Sequence, residues 1–310
     1  MKFLSWNVRC LGLAGRLDGV VAAIGEERPD ILLLQEVHSP LLATVTAAFA
    51  EIELVHALDS ENGAPPRPSR FSTKKPRAGY VTLIASRWPV TRADDAWREN
   101  APHPEAMVRA TIQPQEGPAI DVFNVHIPNG STYGWCKIET LDVLYCALVR
   151  GADQPRILCG DFNEPRYFRR SGQVVSFGPK VHRDDGLSDT AVPWTDSLGI
   201  TRPSSDWARG VMQVLSGAPS HGLRDVYRSV NGFDEVPITY KTSANPRCFD
   251  HGFASRHFTL TSARYRHDWR TSNLSDHSAL VFEANLRGDV GPLMQWGLPD
   301  SDEEPLADVE

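Results

Sequence analysis

The feature that most constrains the fold of this chain is a set of apolar runs that each end at a polar residue. The run at residues 157–159 is followed closely by Asp161 and then by Asn163. Side chains alternate along a strand, so these two leave the predicted strand on the same side. In α/β proteins the chemistry lies at such strand ends, although Asp and Asn are also common turn residues. Taken alone, this segment fits a turn as well as a site.

Three further runs favour a site over a turn. The run at residues 3–6 ends in Asn7, the run at 31–35 ends in Glu36, and the run at 279–282 is preceded by Asp276 and His277. Asp250 and His126 also lie at the ends of predicted strands. These residues span most of the chain and have to converge to act together. We therefore predict a single domain over residues 1–287.

Hydrophobic periodicity predicts an α/β fold. An apolar stripe at residues 17–24 predicts a helix that ends before Pro29, and the wholly apolar residues 31–34 are typical of a strand covered on both faces. Further helices are predicted at 41–49, 138–148 and 223–230, and strands at 51–57, 80–86, 107–112, 119–125, 249–255, 258–266 and 279–286. Residues 165–221 lose this periodicity, which predicts a long insertion of loops and short elements.

Charge is distributed unevenly along the chain. The net charge is −7, and residues 288–310 hold seven acids and no Lys or Arg, so we expect a flexible acidic tail on a neutral body. The proline-rich loop at 66–77 contains five cations that could contact substrate phosphates or only solvent, namely Arg67, Arg70, Lys74, Lys75 and Arg77. No apolar run approaches the roughly 20 residues that a membrane span needs. We expect a cytoplasmic protein without membrane contact.

The polar strand ends suit one kind of chemistry. Carboxylates and carboxamides are hard oxygen ligands that favour Mg²⁺, with Mn²⁺ as a substitute, beside a substrate phosphate. Six short segments carry these residues: Ser5-Trp6-Asn7, Leu34-Gln35-Glu36, Val125-His126-Ile127-Pro128-Asn129-Gly130, Gly160-Asp161-Phe162-Asn163, Phe249-Asp250-His251 and Ser275-Asp276-His277. In this order they resemble the endonuclease/exonuclease/phosphatase superfamily, over residues 1–286. The resemblance implies a four-layer α/β sandwich with two packed mixed β-sheets flanked by helices.

The resemblance also implies roles for individual residues. Glu36 would be the principal metal ligand, with Asn7 and Asp276 beside it. Asp161 would orient or deprotonate the attacking water, and Asn163 and Asn129 would hold phosphate. His277, with Asp250 behind it, would contact the scissile phosphate. His126 occupies a position that is histidine in deoxyribonuclease I-like members and tyrosine in exonuclease III-like members, whereas the segment around Asn129 is similar to the latter.

Some of these assignments have structural alternatives. Asn7 could cap a turn, His126 could be a hydrogen-bonded core residue, and Asp250 could pair with an arginine. The segment before Asp250 contains one aromatic residue, Tyr240, where abasic-site endonucleases carry several bulky ones. We predict a Mg²⁺-dependent nuclease, an endo- or exonuclease acting on DNA or RNA. The alternatives are a phosphatase or small-molecule phosphodiesterase of the same superfamily, and an inactive binding scaffold.

Overall fold

The structure is a computed structural model that describes residues 1–11, 15–71, 79–93, 96–150, 153–169, 171–178, 181–182, 188–189, 194–241 and 246–287. Two sequence predictions lie outside the described residues. One is the acidic tail at 288–310. The other concerns Lys74, Lys75 and Arg77 of the basic loop.

The strands, in chain order, are β1 Lys2–Leu11, β2 Ile31–His38, β3 His56–Asp59, β4 Tyr80–Ser86, β5 Val90–Arg92, β6 Met107–Ile112, β7 Ile120–His126, β8 Arg156–Asp161, β9 Tyr167–Phe168, β10 Val174–Val175, β11 Val181–His182, β12 Ser188–Asp189, β13 Trp194–Thr195, β14 Thr201–Arg202, β15 Leu223–Asp225, β16 Tyr240–Lys241, β17 Pro246–Arg247, β18 Asp250–Ser255, β19 Phe258–Arg266 and β20 Ala279–Leu286. The α-helices are α1 Leu17–Glu27, α2 Leu42–Ala50, α3 Gly130–Tyr133, α4 Cys136–Val149, α5 Ser204–Leu215, α6 Ala218–His221, α7 Val226–Asn231 and α8 His267–Thr271. Short 3-10 turns lie at Ser39–Leu41, Ser69–Phe71, Ala96–Arg98 and Pro104–Ala106.

Two mixed six-stranded sheets form the centre of the fold. The first sheet has the order β19-β20-β1-β2-β4-β3, and the second has the order β15-β18-β8-β7-β6-β5. Each contains one parallel pair, β1 with β2 and β7 with β8, among antiparallel neighbours. The remaining short strands form two-stranded hairpins. The predicted α/β class with two mixed sheets is therefore confirmed.

Three apolar clusters explain the layering. Phe3 and Leu33 of the first sheet, together with residues of the second such as Val122, fill the space between the sheets. Leu4 and Trp6 point to the opposite face of β1, where they join a cluster covered by α1, α2 and α8. A third cluster joins the outer face of the second sheet to α4 and α5. Burial on both faces accounts for the continuous apolar runs, and the predicted four-layer sandwich is confirmed.

Two predicted elements begin later in the chain than expected. The expected strand at 51–57 begins as a turn, because Glu53 is left-handed and the Leu54 N–H closes α2 on the Phe49 carbonyl, so β3 starts at His56. The expected helix at 223–230 begins as strand β15, which pairs with β18. The Asp225 side chain accepts the Arg228 N–H at 2.8 Å and caps α7 only after that strand. The predicted insertion contains a 12-residue helix, α5, besides short strands.

No helix among the described residues is both long enough and apolar enough to cross a membrane.

Candidate active site

The polar strand ends of both sheets meet at one cavity of about 700 Å³. Seven of the residues singled out from the sequence line it: Glu36, His126, Asn129, Asp161, Asn163, Asp276 and His277. Two others, Asn7 and Asp250, are buried and hydrogen-bond to residues of this wall. The fold thus gathers residues that lie up to 270 positions apart in the chain, from Asn7 to His277.

His277 and Asp250 form a buried pair between the two sheets. His277 Nδ1 lies 2.9 Å from Asp250 Oδ2 and 3.1 Å from Oδ1. Burial alone would lower the pKa of His277, but the charges of Asp250 and Asp161 raise it to about 10. The imidazole is therefore protonated at neutral pH, with Nε2 directed to within 3.7 Å of Asp161 Oδ2. A fixed imidazolium can donate to a phosphate oxygen.

Asp161 occupies the middle of the polar cluster. Its Oδ2 accepts the Asn7 amide at 3.0 Å, and its Oδ1 accepts the Asn163 N–H at 2.8 Å. Burial, reinforced by the charge of Asp250, raises the pKa of Asp161 to about 6, while His277 and these hydrogen bonds oppose the rise. A carboxylate with a pKa just below neutrality is suited to general base catalysis.

Glu36 stands on the accessible side of Asp161. Its side chain is 25% exposed, and its Oε1 lies 3.4 Å from Asn7 Nδ2 and 3.8 Å from His126 Nε2. His126 Nε2 is also 3.5 Å from Asp161 Oδ2. Asn7 presents its NH₂ group to the two carboxylates, because its oxygen accepts the Arg9 N–H at 3.0 Å. In this structure the Asn7 amide therefore contacts both carboxylates, and its predicted role as a metal ligand stays a prediction.

Asp276 forms a second accessible carboxylate on the cavity wall. Its side chain is 33% exposed, and its Oδ2 lies 3.7 Å from Arg9 Nε in an ion pair. Arg9 is 53% exposed. The Arg9 guanidinium therefore already offsets part of the negative charge that Asp276 contributes to this wall.

The two asparagines are held by backbone contacts beside the cavity. The Asn163 amide donates to the Ile127 carbonyl at 2.9 Å, and Asn163 itself adopts a left-handed φ of 51°. The Asn129 oxygen caps α3 by accepting the Thr132 N–H at 2.8 Å. Both residues line the cavity, and a side-chain amide is a donor of the kind that an anionic substrate requires.

The donor set fits a divalent metal ion. Ligand atoms of Asp161, Asp250 and His277 lie within 4.8 Å of one another. Because His277 Nδ1 is already bonded to Asp250, that pair is better suited to proton and phosphate contacts than to ligation. Glu36 and Asp276 are two further carboxylates of the same cavity wall, and their side chains are accessible to water. A cation here would balance the buried charge of Asp161.

The described part of the basic loop lies elsewhere. Arg67 Nη2 contacts His103 Nδ1 at 2.7 Å and Glu105 Oε1 at 3.3 Å. Arg70 donates to the Asn100 carbonyl at 3.1 Å and borders a second cavity of about 370 Å³ that also contains Glu139. Among the described residues that line the main cavity, neither arginine occurs.

Lys137 is a feature of the site that the sequence did not reveal. It is 1% exposed, lines the cavity from α4, and donates to the Asn163 carbonyl at 2.7 Å. Its Nζ also lies 3.2 Å from Glu164 Oε1, another buried charge. Burial lowers the pKa of Lys137, while the charges of Glu164 and Asp161 oppose this shift. In the sequence it is a single polar residue beside an apolar helical stripe, which is a pattern typical of a solvent-facing lysine.

The fold and the site together define a class of protein: an α/β sandwich with a cavity of carboxylates and histidines suited to metal-assisted ester hydrolysis. The sequence pattern of the Endonuclease/Exonuclease/phosphatase family matches residues 4–277. The chain therefore belongs to this family. Its members are metal-dependent hydrolases that act on phosphodiester or phosphate ester bonds.

Several solved structures share the fold. An AP endonuclease from Archaeoglobus fulgidus is 20% identical, with a TM-score of 0.60 over 92% of this chain and 99% of its own. The 3' phosphatase NExo from Neisseria, bound to product DNA hairpin, is 18% identical, with a TM-score of 0.58 over 92% and 99%. An endonuclease/exonuclease/phosphatase from Beutenbergia cavernae is 16% identical, with a TM-score of 0.57 over 92% and 71%. No curated protein matches the chain.

Proposed function

We propose that residues 1–287 form a Mg²⁺-dependent phosphodiester hydrolase that acts on nucleic acid as an endo- or exonuclease. The observation that carries this proposal is the meeting of Asp161, the His277–Asp250 pair and the accessible carboxylates Glu36 and Asp276 at one cavity. Phosphodiester hydrolysis needs a cation at the phosphate oxygens, a base for water and a donor to developing negative charge. These residues meet all three needs.

Each residue has a defined part in this proposal. Glu36, whose carboxylate accepts the Asn7 amide, and Asp276 would hold Mg²⁺ or Mn²⁺, which when bound neutralises charge on the phosphate. Asp161 accepts the proton of the attacking water, since a pKa of about 6 leaves it ionised above neutrality. The His277 imidazolium donates from Nε2 to a phosphate oxygen, while Asp250 fixes the ring through Nδ1.

Three further residues would hold the substrate. Asn163 and Asn129 contribute amide N–H groups beside the reacting centre, and His126 faces both Asp161 and Glu36. The DNA hairpin in the Neisseria structure supports a nucleic acid substrate for this fold. Lys74, Lys75 and Arg77 remain proposed contacts to phosphates distant from the cut, and Arg67 and Arg70 are weaker candidates because they are engaged with protein groups.

A phosphatase or small-molecule phosphodiesterase is the second candidate. It gains support because Arg67 and Arg70, two cations expected to contact a polyanion, lie outside the described wall of the main cavity. Lys137, which does line that wall, is directed to Glu164 and Asn163. A single phosphate ester needs fewer distant cations than a nucleic acid chain does.

A gel assay tests the proposal and separates these candidates. Purified protein is incubated with labelled single- and double-stranded DNA and RNA, and with a 3'-phosphorylated oligonucleotide, in Mg²⁺, Mn²⁺ or EDTA. We expect internal or stepwise cleavage of chains in Mg²⁺ or Mn²⁺ and none in EDTA. Release of phosphate without chain cleavage would favour the phosphatase. Cleavage that persists in EDTA would contradict a metal-dependent mechanism.

A further inference from the structure

The His277–Asp250 pair depends on the register of two separate sheets. Asp250 is the first residue of β18 in the second sheet, whereas His277 precedes β20 of the first sheet. Each side chain is thus positioned by a different sheet, and their 2.9 Å contact spans the interface. A relative shift of the sheets would weaken this contact, because a hydrogen bond depends on the distance and angle between its partners.

Thr239 is hydrogen-bonded to both sides of this pair. Its carbonyl accepts the Ser278 N–H at 2.7 Å, directly after His277. Its hydroxyl oxygen accepts the Phe249 N–H at 2.9 Å and the Asp250 N–H at 3.2 Å. Thr239 is fully buried, so water does not compete for these bonds. One residue therefore joins the start of β18 to the His277 segment.

The next residue adds a second contact to the same segment. The Tyr240 ring centroid lies 4.7 Å from that of His277 and 5.4 Å from that of Phe249. Tyr240 also forms an isolated β-bridge with His277. Two other hydrogen bonds each reach one member of the pair: Trp6 Nε1 donates to the His277 carbonyl at 2.9 Å, and the Tyr265 hydroxyl donates to the Asp250 carbonyl at 2.7 Å.

We infer that Thr239 is a positioning residue that holds Asp250 and His277 in catalytic register across the two sheets. This inference rests on the proposed function of the pair in phosphoester hydrolysis. Thr239 lies outside the described wall of the cavity, so it acts through the pair rather than on substrate. The Thr239 hydroxyl makes the hydrogen bond to the Asp250 N–H, so a substitution of similar shape that lacks the hydroxyl tests the inference.

Thr239→Val removes the hydroxyl acceptor at nearly constant shape, and Thr239→Ser retains it. We expect Thr239→Val to lower kcat by about tenfold or more with KM within about twofold of wild type, because small displacements at a reacting centre cost this much. Thr239→Ser should keep a kcat within about twofold of wild type. The matched control is Thr140→Val, which removes another buried hydroxyl, bonded to the Cys136 carbonyl within α4. It should leave kcat unchanged.

Two further measurements separate positioning from folding and from the proposed activity. If Thr239→Val does not fold, Thr239→Cys replaces it, because a thiol is a weak hydrogen-bond acceptor on a side chain that remains small. Its kcat should fall severalfold below that of Thr239→Ser. Independently of activity, the downfield Nδ1 proton resonance of His277 in NMR spectra should be sharp in wild type and Thr239→Ser and broadened or shifted in Thr239→Val or Thr239→Cys.

The inference is overturned if the valine or cysteine variant retains wild-type kcat or an unchanged His277 resonance. It is also overturned if Thr140→Val loses as much kcat as the Thr239 variants. A wild-type protein that cleaves no phosphoester would contradict the proposed function instead, while the NMR comparison would still decide whether Thr239 aligns the pair.

Discussion

Three of the six non-glycine residues with a positive φ among the described residues lie at or beside the cavity. Glu36 and Asn163, which both line it, have left-handed φ angles of 59° and 51°, and nearby Arg9 has a φ of 46°. Such conformations cost a non-glycine residue about 1 kcal/mol or more, so they persist where other contacts compensate. Asn163 is held by its N–H bond to Asp161 Oδ1, and Arg9 by its bond to Asn7 Oδ1. The strained backbone thus occurs where the Glu36 and Asn163 side chains reach the cavity.

The proposed base gives a direct prediction. Asp161→Asn keeps the shape of the side chain but removes its ability to accept a proton from water, so turnover should fall by about 100-fold or more. The matched control is Asp153→Asn, at a side chain that is 85% exposed, and its turnover should equal that of wild type. Steady-state kinetics with a labelled oligonucleotide provide the measurement. Equal turnover of Asp161→Asn and wild type would exclude Asp161 as the base.

The Lys137–Glu164 pair gives a prediction about stability. Both residues are 1% exposed and their charged atoms lie 3.2 Å apart, so Lys137→Met leaves the Glu164 carboxylate buried without this partner. We expect a loss of about 3–5 kcal/mol in the free energy of unfolding. The double variant with Glu164→Met should recover most of this loss, because neither charge of the pair remains. Urea denaturation of the four proteins of this cycle measures both effects. If Lys137→Met lowers the free energy of unfolding by less than about 1 kcal/mol, the Lys137–Glu164 pair is in contact with water.

The elements were predictable where one local pattern dominates. Residues 31–34 are apolar throughout and form a strand covered on both faces, and the 17–24 stripe forms α1 as expected. Prediction failed at 223–230, where the apolar residues suit either a helix or a strand. There the pairing of β15 with β18 and the Asp225 cap decide the outcome, and neither is visible in a local window.

Gly160 provides a test of the packing between neighbouring strands. It has a φ of 155°, and a Cβ at this position would lie 1.9 Å from the Val125 carbonyl oxygen on the neighbouring strand β7. Gly160→Ala should destabilise the protein by about 4 kcal/mol or more, since backbone atoms must shift. Gly199→Ala is the control: it also has a positive φ, of 79°, but its Cβ would meet no atom of the described residues within 4 Å, and it should cost about 1–2 kcal/mol. Similar losses of stability in the two variants would show that the positive φ, and not the contact with the Val125 carbonyl, causes the destabilisation of Gly160→Ala.

His221 at the end of α6 predicts how stability depends on pH. Burial lowers its pKa to about 4, and the neutral ring bonds the Val214 carbonyl through Nε2 and the Leu223 N–H through Nδ1. Its pKa in the unfolded chain is about 6.5. Below pH 6.5 the unfolded state binds a proton that the folded state does not. The stabilisation that His221 contributes is therefore fully present above pH 6.5, and it is lost as the pH falls through the folded pKa of about 4.

Chemical denaturation between pH 7 and pH 4.5 checks this sign. A single such group contributes a slope of at most about 1.4 kcal/mol per pH unit. Below pH 6 the free energy of unfolding of wild type should therefore fall more steeply than that of His221→Gln, by up to about 1.4 kcal/mol per pH unit. Glutamine keeps one donor and one acceptor but does not titrate. Parallel pH profiles for the two proteins would contradict the buried neutral state of His221.

At the scale of the whole molecule, the site depends on contacts that no single segment contains. The motifs identified Asp161, Asp250 and His277, because family motifs mark strand ends that meet in this fold. Lys137 and Thr239 were not identified as parts of the site, because their importance comes from burial against residues distant in sequence. The orientation of the Asn7 amide likewise follows from its neighbours rather than from its position in a motif.

The metal dependence of the site is tested most directly by the Mg²⁺ dependence of oligonucleotide cleavage in wild type and Glu36→Gln. We expect no cleavage in EDTA and recovery on adding Mg²⁺. The half-maximal Mg²⁺ concentration for Glu36→Gln should be raised by about tenfold or more, because an amide is a much weaker ligand than a carboxylate. Glu51→Gln, at an exposed residue after α2, should match wild type. Full cleavage in EDTA, or the same Mg²⁺ dependence in Glu36→Gln and wild type, would contradict the metal-dependent site described here.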